Sequence, residues 1–471
     1  MLGTNQPQLP GIPSRGGLSC GLALLGAVSC GQPSDSVVER DLALFVVDAL
    51  RRDALSCYAP TNGAPQNPIT ERFDAFAGEA LRVENAASPA SYTLASTASL
   101  FTGLSPARHG TLGLSTNVLP SACRTLAEAL SDEGYATAAF SCNPNVSPPG
   151  AFDQGFGTFR FHLRDRLDVH VVPDLLLEEL AQFWKSEPSS SRARPRFSYV
   201  HILPPHAPYD PPLDLLERTG GAETADAEGS HEYLVQLGTR DDLTTGLPQV
   251  QRVKARYLAG VQVADRWFGE CLDRLEVELD SAMVVLTSDH GESFAEHGRM
   301  SHGPSVYAEA LEIPLLIRSP DLASGVVPGP VSTQDLAATL TEALGVEWPR
   351  DGSGGVSFLS HLRGEALAPR GALLARGTGE RPFWSMREDH WMLIAQPTGG
   401  YRELYDLASD PKQLKNLAAT DPKRAQAFVD RLSEQLASDR ARRIERSGPR
   451  RHRTLARELA ELGYAEGSED L

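Results

Sequence analysis

The chain has 471 residues, with 44 Lys and Arg against 61 Asp and Glu and so a formal net charge of −17. Hydrophobic residues at 41% with charged residues at 22% are ordinary globular composition, which excludes disorder for the bulk of the chain. The acidic balance argues against a nucleic-acid-binding face, which needs a Lys/Arg field, but not against small anionic ligands, because a bound cation inverts local charge.

The first thirty residues stand apart. Met1 to Arg15 are polar and Pro-rich, and an apolar stretch from Gly17 to Ser29 ends at Cys30 before polar GQPSDS. Such a run is too short for a bilayer-spanning helix of about 20 residues. Together with Arg15 and its small residues it fits an export segment over 1–30, or else an extended N-terminus from a misplaced start. AVSC at 27–30 resembles a bacterial lipobox with Cys30 as the lipidated residue, although Ala27 stands where Leu is usual. The expectation is a periplasmic protein or an anchored lipoprotein whose only membrane contact is that N-terminal lipid. The other cysteines, Cys57, Cys123, Cys142 and Cys271 beyond Cys20, show no CxxC spacing, so a zinc ribbon has no support. Cys123 and Cys142 are either a pair or simple core thiols.

From Asp41 onward strands and helices alternate. LALFVVDAL (42–50) is a continuous apolar run of the kind buried in a parallel sheet. YATAAFSC (135–142), FSYVHIL (197–203), MVVLTSD (283–289) and IPLLIRS (313–319) are further strands. Helical periodicity marks CRTLAEALSDEG, PDLLLEELAQFWKSE, the long QVQRVKARYLAGVQVADRWFGECLDRLEVEL and TQDLAATLTEALG. This alternation predicts an α/β sandwich around a large, mostly parallel sheet. Thr219 to Leu247 is polar and reads as a surface insertion or lid. Beyond residue 366 the short runs ALLAR, FWSMRE, HWMLIA and YRELYDL predict a small antiparallel subdomain, followed by a helix and a basic connector, RSGPRRHR. The expected organisation is an export segment (1–30), a catalytic domain (31–365) and a C-terminal subdomain with tail (366–471).

Ligands in open α/β sheets bind at the carboxyl ends of strands. Asp48 ends the first strand, Asp289 and His290 end a later one, and His201 and His206 flank the end of a third. Carboxylates and imidazoles in such places suit a divalent cation, although Asp48 alone is equally a helix cap. Thr93 opens a helix that Gly103 closes, where a hydroxyl meets free N–H groups and the positive end of the dipole; as a simple cap it would do no chemistry. In the segment 287–320, Asp289, His290, His297 and His302 fall within fourteen positions ahead of an apolar strand.

These segments resemble the sulfatase family of the alkaline-phosphatase superfamily. VVDALRRDALSCY resembles its opening strand and metal-binding Asp, SLFTGLSPARHG the tail of its active-site signature, and TSDHGE…EHG…SHGPSVYAEALEIPLLIRSP its second metal-binding block. HILPPHAPYDPP resembles the substrate-histidine loop, ELYDLASDPKQLKNLA the C-terminal subdomain, and ELGYAEG a common closing motif. The resemblance implies an alkaline-phosphatase-like fold and a metal-dependent hydrolase of sulfuric or phosphoric esters.

The departures sharpen this. Sulfatases proper carry Cys or Ser in a C/S-x-P-x-R signature, converted to formylglycine. Counted back from Thr102-Gly103, that position is Thr93, with Ala95 and Thr97 where Pro and Arg are usual. Threonine cannot become formylglycine, so none is expected. Asn143 and Asn145 occupy the region of a familiar Lys and His, Ala49 follows the first metal Asp, His302 replaces a sulfate-contacting Lys, and Pro204 replaces an Asp. The pattern resembles the threonine-nucleophile branch, akin to phosphodiesterases, phosphonate monoester hydrolases and phosphoryl transferases.

The resemblance implies Asp48, Thr93, Asp289 and His290 as ligands of one divalent metal, zinc, manganese or calcium, with His290 favouring the first two. Thr93 is the expected nucleophile. His206 and His302 stabilise the transferring group or protonate the leaving alkoxide, and Asn143 contacts its oxygens. His201 is either a substrate contact or a structural strand residue, and His297 sits behind the ligands. A second metal on His206 and His302, with Asp210, stays open. The substrate is a small anionic ester, on a glycan or lipid for instance, and not a nucleic acid. A phosphoryl transferase and a non-catalytic binder of an anionic glycan or lipid headgroup remain alternatives.

Overall fold

A computed structural model describes residues 40–59, 69–113, 118–162, 171–186, 194–220, 226–349, 354–367 and 370–445. The expected export segment, Cys30 and the closing ELGYAEG lie outside them.

The principal strands are β1 (Leu42–Val47), β2 (Leu81–Val83), β3 (Ala136–Ser141), β4 (Thr158–Phe161), β5 (Arg196–Ile202), β6 (Met283–Ser288), β7 (Leu315–Arg318) and β8 (Gly325–Val327). They form one eight-stranded sheet in the order β8-β2-β7-β6-β1-β5-β3-β4. β1 lies at its centre, parallel to β5 on one side and β6 on the other, with Val47 opposite Ile202 and Ser288. Only β7 runs against its neighbours, antiparallel to both β2 and β6. Of the apolar run 313–319, Leu315–Arg318 is therefore a strand of opposite direction, while Ile313, ahead of Pro314, pairs with Ala86 in a separate three-stranded sheet.

Side-chain alternation along β1 builds a core on each face. Leu42, Leu44 and Val46 join one cluster with Leu94, Ala98 and Phe101 of helix α2 (Thr93–Thr102). Ala43, Phe45 and Val47 join the other with Trp267 and Phe268. Helices α1 (Glu71–Glu79), α4 (Val171–Lys185) and the 27-residue α6 (Pro248–Arg274) cover that second face. α3 (Leu126–Asp132) and α7 (Leu336–Ala343) lie with α2 on the first face. Within the stretch read as an insertion or lid, the described residues 226–247 carry helix α5 (His231–Gly238), anchored by buried Leu234 and Leu237.

Four strands, β9 (Leu373–Arg376), β10 (Trp384–Glu388), β11 (Trp391–Ala395) and β12 (Arg402–Asp406), make the expected antiparallel meander. Helix α8 (Pro422–Ala441) packs Phe428, Leu432 and Leu436 on it. Cys57, Cys123, Cys142 and Cys271 are free thiols, so the pairing of Cys123 with Cys142 is not formed. No helix among the described residues is long and apolar enough to cross a membrane.

Candidate active site

Parallel register brings the carboxyl ends of β1, β5 and β6 together, and with them Asp48, His201, Asp289 and His290. All four side chains are fully or almost fully buried. Asp48 caps no helix. Its Oδ2 faces Nε2 of His201 at 3.1 Å and accepts a hydrogen bond from the Asn143 amide. Tyr199, two residues before His201 on β5, places its hydroxyl 2.7 Å from the other ring nitrogen. The backbone N–H of Asn145 donates to Oδ1 of Asn143 at 2.7 Å, which directs the Asn143 amide toward Asp48.

Ala49 takes a left-handed backbone (φ 57°), unusual for a residue with a Cβ. The turn is held by its N–H donating to Asp289 Oδ1 at 3.1 Å and its carbonyl accepting from Tyr257 at 2.9 Å. Gly291 in the Asp-His-Gly turn has a steric reason: a Cβ there would lie 2.1 Å from the Glu309 carbonyl.

Thr93 is the first residue of α2, not its cap; Tyr92 holds that position without a capping side chain. The Thr93 hydroxyl lies 3.3 Å from Nε2 of His290 and 3.5 Å from Oδ1 of Asp48. Apart from Phe101 the helix is made of small, hydroxylic and aliphatic residues, and every residue is buried, which seats its N-terminus against the strand ends. Gly103 closes it at φ 67°.

Asp48, Asp289 and His290 form the one group of three metal-ligating side chains among the described residues, their ligand atoms within 4.8 Å of one another. Asp289 tests whether a cation fits. Its Oδ1 accepts the N–H groups of Ala49 and His290, while its buried Oδ2 has no hydrogen-bond partner. Nε2 of His290 lies 3.5 Å from that Oδ2, and a buried carboxylate oxygen left without a hydrogen bond costs free energy that a cation would remove. Asp48 is ionised: burial opposes its charge, but His206, then the hydrogen bond and charge of His201 and the charge of His290, hold its carboxyl well below the usual range. Two carboxylates and an imidazole suit zinc or manganese.

His206 and His302 border this cluster. The His302 ring centroid lies 4.4 Å from that of His290 and 4.8 Å from that of His206. His206 donates Nδ1–H to the Ala207 carbonyl at 2.6 Å, and burial lowers its pKa. Neither joins a third ligand in a metal-binding group among the described residues, and Asp210 is on the surface. His297 turns away from the cluster to Glu309 (2.9 Å) and the Gln413 carbonyl (3.1 Å).

Residues absent from the sequence expectations complete the surroundings. Glu292, fully buried, faces Nδ1 of His302 at 3.2 Å and accepts from the Tyr209 hydroxyl at 2.8 Å. Its position directly after Asp-His-Gly was the available signal. The C-terminal sheet also braces the site: Arg376 donates to the Tyr92 hydroxyl at 2.6 Å, and the Thr378 N–H to the Gly303 carbonyl at 2.9 Å.

An acid-imidazole cluster and a helix-borne threonine at the carboxyl end of an α/β/α sheet define an alkaline-phosphatase-like protein. The sulfatase family model matches residues 40–346, and the chain belongs to that family. It is 31% identical over 206 residues to arylsulfatase K of Xenopus laevis, covering 39% of this chain and 37% of that protein. Choline-sulfatase of Rhizobium meliloti (strain 1021) is 28% identical over 264 residues, covering 52% and 51%. The chain thus spans about half or less of these curated relatives. The phosphonate monoester hydrolase of Agrobacterium radiobacter shares the fold, with a TM-score of 0.67 at 19% identity over 86% of this chain and 96% of that one.

Proposed function

We propose that this chain hydrolyses small anionic esters, of phosphate, phosphonate or sulfate, with Thr93 as nucleophile. The observation that carries the reading is the Thr93 hydroxyl 3.3 Å from His290 and 3.5 Å from Asp48, at the N-terminus of a buried helix. Names of relatives support sulfate esters, and that of the structural neighbour supports phosphonate esters. A threonine that cannot be converted to formylglycine favours phosphorus.

Asp48, Asp289 and His290, with Thr93, would hold a divalent cation. Bound there, such an ion acts as a Lewis acid that favours the ionised hydroxyl. Thr93 Oγ1 attacks phosphorus or sulfur in line, the leaving oxygen departs, and water later hydrolyses the threonine ester. The first-turn amides of α2 and its dipole favour the anionic group at that position. His206 and His302 stand at the transferring group's oxygens and the leaving oxygen. Asn143 and His201 border the substrate and also fix Asp48 through Oδ2.

The test is a panel of 4-nitrophenyl phosphate, phenylphosphonate and sulfate esters with Thr93→Ala as control. Turnover of at least one ester that vanishes in Thr93→Ala supports the reading, and turnover surviving in it overturns the nucleophile.

A further inference from the structure

Two histidines border the Asp48–Asp289–His290 cluster, His302 directly against His290 and His206 against His302, and their hydrogen bonds differ in kind. His206 spends Nδ1–H on a neutral backbone carbonyl, that of its own neighbour Ala207. His302 spends it on the carboxylate of Glu292, whose two oxygens each lie 3.2 Å from Nδ1. Glu292 is itself held from the other side by the Tyr209 hydroxyl at 2.8 Å, on a side chain buried against Tyr257 and Phe294. Glu292 is fully buried, so its geometry is fixed by packing and not by solvent. A carboxylate that accepts one ring N–H determines the tautomer and the ring direction of a histidine.

We propose that Glu292, anchored by Tyr209, is a positioning residue that orients His302 so that Nε2 serves the leaving-group oxygen, a role this assigns to His302 and not to His206. The inference rests on the Thr93 reading above. In the forward step Thr93 Oγ1, already ionised as in the reading above, forms its bond to phosphorus or sulfur while the bond to the leaving oxygen breaks. That oxygen takes the Nε2 proton, and the departing alcohol is neutral. Water then attacks the threonine ester, the bond from phosphorus or sulfur to Oγ1 breaks so that Oγ1 leaves as the alkoxide it began as, and one proton of the water returns to Nε2. Glu292 and Tyr209 touch no reacting atom. They hold the ring through both steps.

The experiment compares phenyl and 4-nitrophenyl esters of phenylphosphonate and sulfate, using the full chain. A good leaving group needs little help from a proton donor, and a poor one needs much. Glu292→Ala is expected to lower kcat for the phenyl ester about 10-fold or more and for the 4-nitrophenyl ester by less than about 3-fold, with KM little changed. Glu292→Gln, whose amide oxygen still accepts from Nδ1–H, should recover part of the loss. In a His302→Asn background Glu292→Ala should add nothing, because the positioned ring is gone. Should Glu292→Ala fail to fold, Tyr209→Phe, which removes one hydroxyl, carries the same leaving-group dependence at smaller size. Equal losses for the two esters, or additive losses with His302→Asn, overturn the proposal while Thr93→Ala remains inactive. Activity in Thr93→Ala overturns the reading beneath it instead.

Discussion

Oγ1 of Thr93 lies 3.3 Å from Nε2 of His290, although 197 residues separate them in the chain. The contact joins the first residue of a helix on one face of the sheet to the turn that follows β6. Thr93→Ala is expected to reduce kcat/KM about 1,000-fold or more, and Thr93→Ser to retain a measurable part, because the hydroxyl and not the methyl is required. Both variants should melt within a few degrees of the parent, which thermal unfolding checks.

Asp289 Oδ2 predicts a response to metal. Chelator-treated protein should gain stability on addition of zinc or manganese, by about 2.7 kcal/mol at a hundredfold excess over Kd. Asp289→Asn should abolish most of that gain. Differential scanning calorimetry with and without metal decides the matter; an equal shift in parent and variant would place the cation elsewhere.

Much of this arrangement was legible in the chain. Apolar runs ending in Asp48 and in Asp289-His290 announce strands whose carboxyl ends bring two carboxylates and an imidazole together, and Gly103 marks where α2 stops. The direction of β7 was not legible, because an apolar run such as Leu315–Arg318 reads the same in either sense. Helix α5 was hidden because it is only eight residues long and just Leu234 and Leu237 of it are buried, while Val235 is exposed. Asn143 and His201 could be placed near the site, but their convergence on one oxygen of Asp48 depends on the register of three strands. Glu292 was visible in Asp-His-Gly-Glu, yet nothing local shows that it turns toward His302 and Tyr209.

His109 predicts acid sensitivity. It is buried in the Ser-Pro-Ala-Arg-His turn, takes the Thr111 N–H on Nδ1 at 3.0 Å and places Nε2 3.0 Å from Ser99. Burial above all pushes its pKa down to about 3. A histidine with a depressed folded value contributes stability that is present above its unfolded pKa, about 6.5, and is lost as pH falls toward 3. Stability should therefore decline on acidification by a few kcal/mol through this group. His109→Gln, uncharged throughout, should show a shallower decline in urea melts between pH 6.5 and 4, and an unchanged slope would exclude His109 as the source.

His297 has the opposite sign. It stacks on Tyr307 at 3.8 Å and reaches from the catalytic segment to the Gln413 carbonyl of the C-terminal subdomain. Burial works against its charge, but the hydrogen bond and charge of Glu309 outweigh burial and raise its pKa. Its contribution is whole below the unfolded value of about 6.5 and is lost as pH rises through the raised folded value. The stability difference between parent and His297→Asn should thus shrink from pH 6 to pH 9. A difference independent of pH would mean that stacking alone holds the two segments together.

Asp265 carries the last prediction, on a helix cap supplied from a distant helix. The Thr70 side chain, ahead of α1, makes no cap hydrogen bond. Asp265 of α6 does so instead, accepting the N–H of Arg72 at 3.1 Å and that of Phe73 at 2.7 Å. Burial raises its pKa to about 6 in spite of those two donors. A carboxyl raised in the folded state favours folding fully below its unfolded value near 3.9, and that share is lost as pH climbs through 6. The loss is about 1–2 kcal/mol after allowance for partial burial. Asp265→Asn keeps an acceptor for the cap and removes the titration. It should be no more stable than the parent at pH 4, gain on it by pH 8, and flatten the stability profile between. Asp265→Ala loses the cap as well, at about 1 kcal/mol at either pH. If the asparagine variant follows the parent's profile across this window, the carboxyl is not the titrating group, and the cap acts through geometry alone.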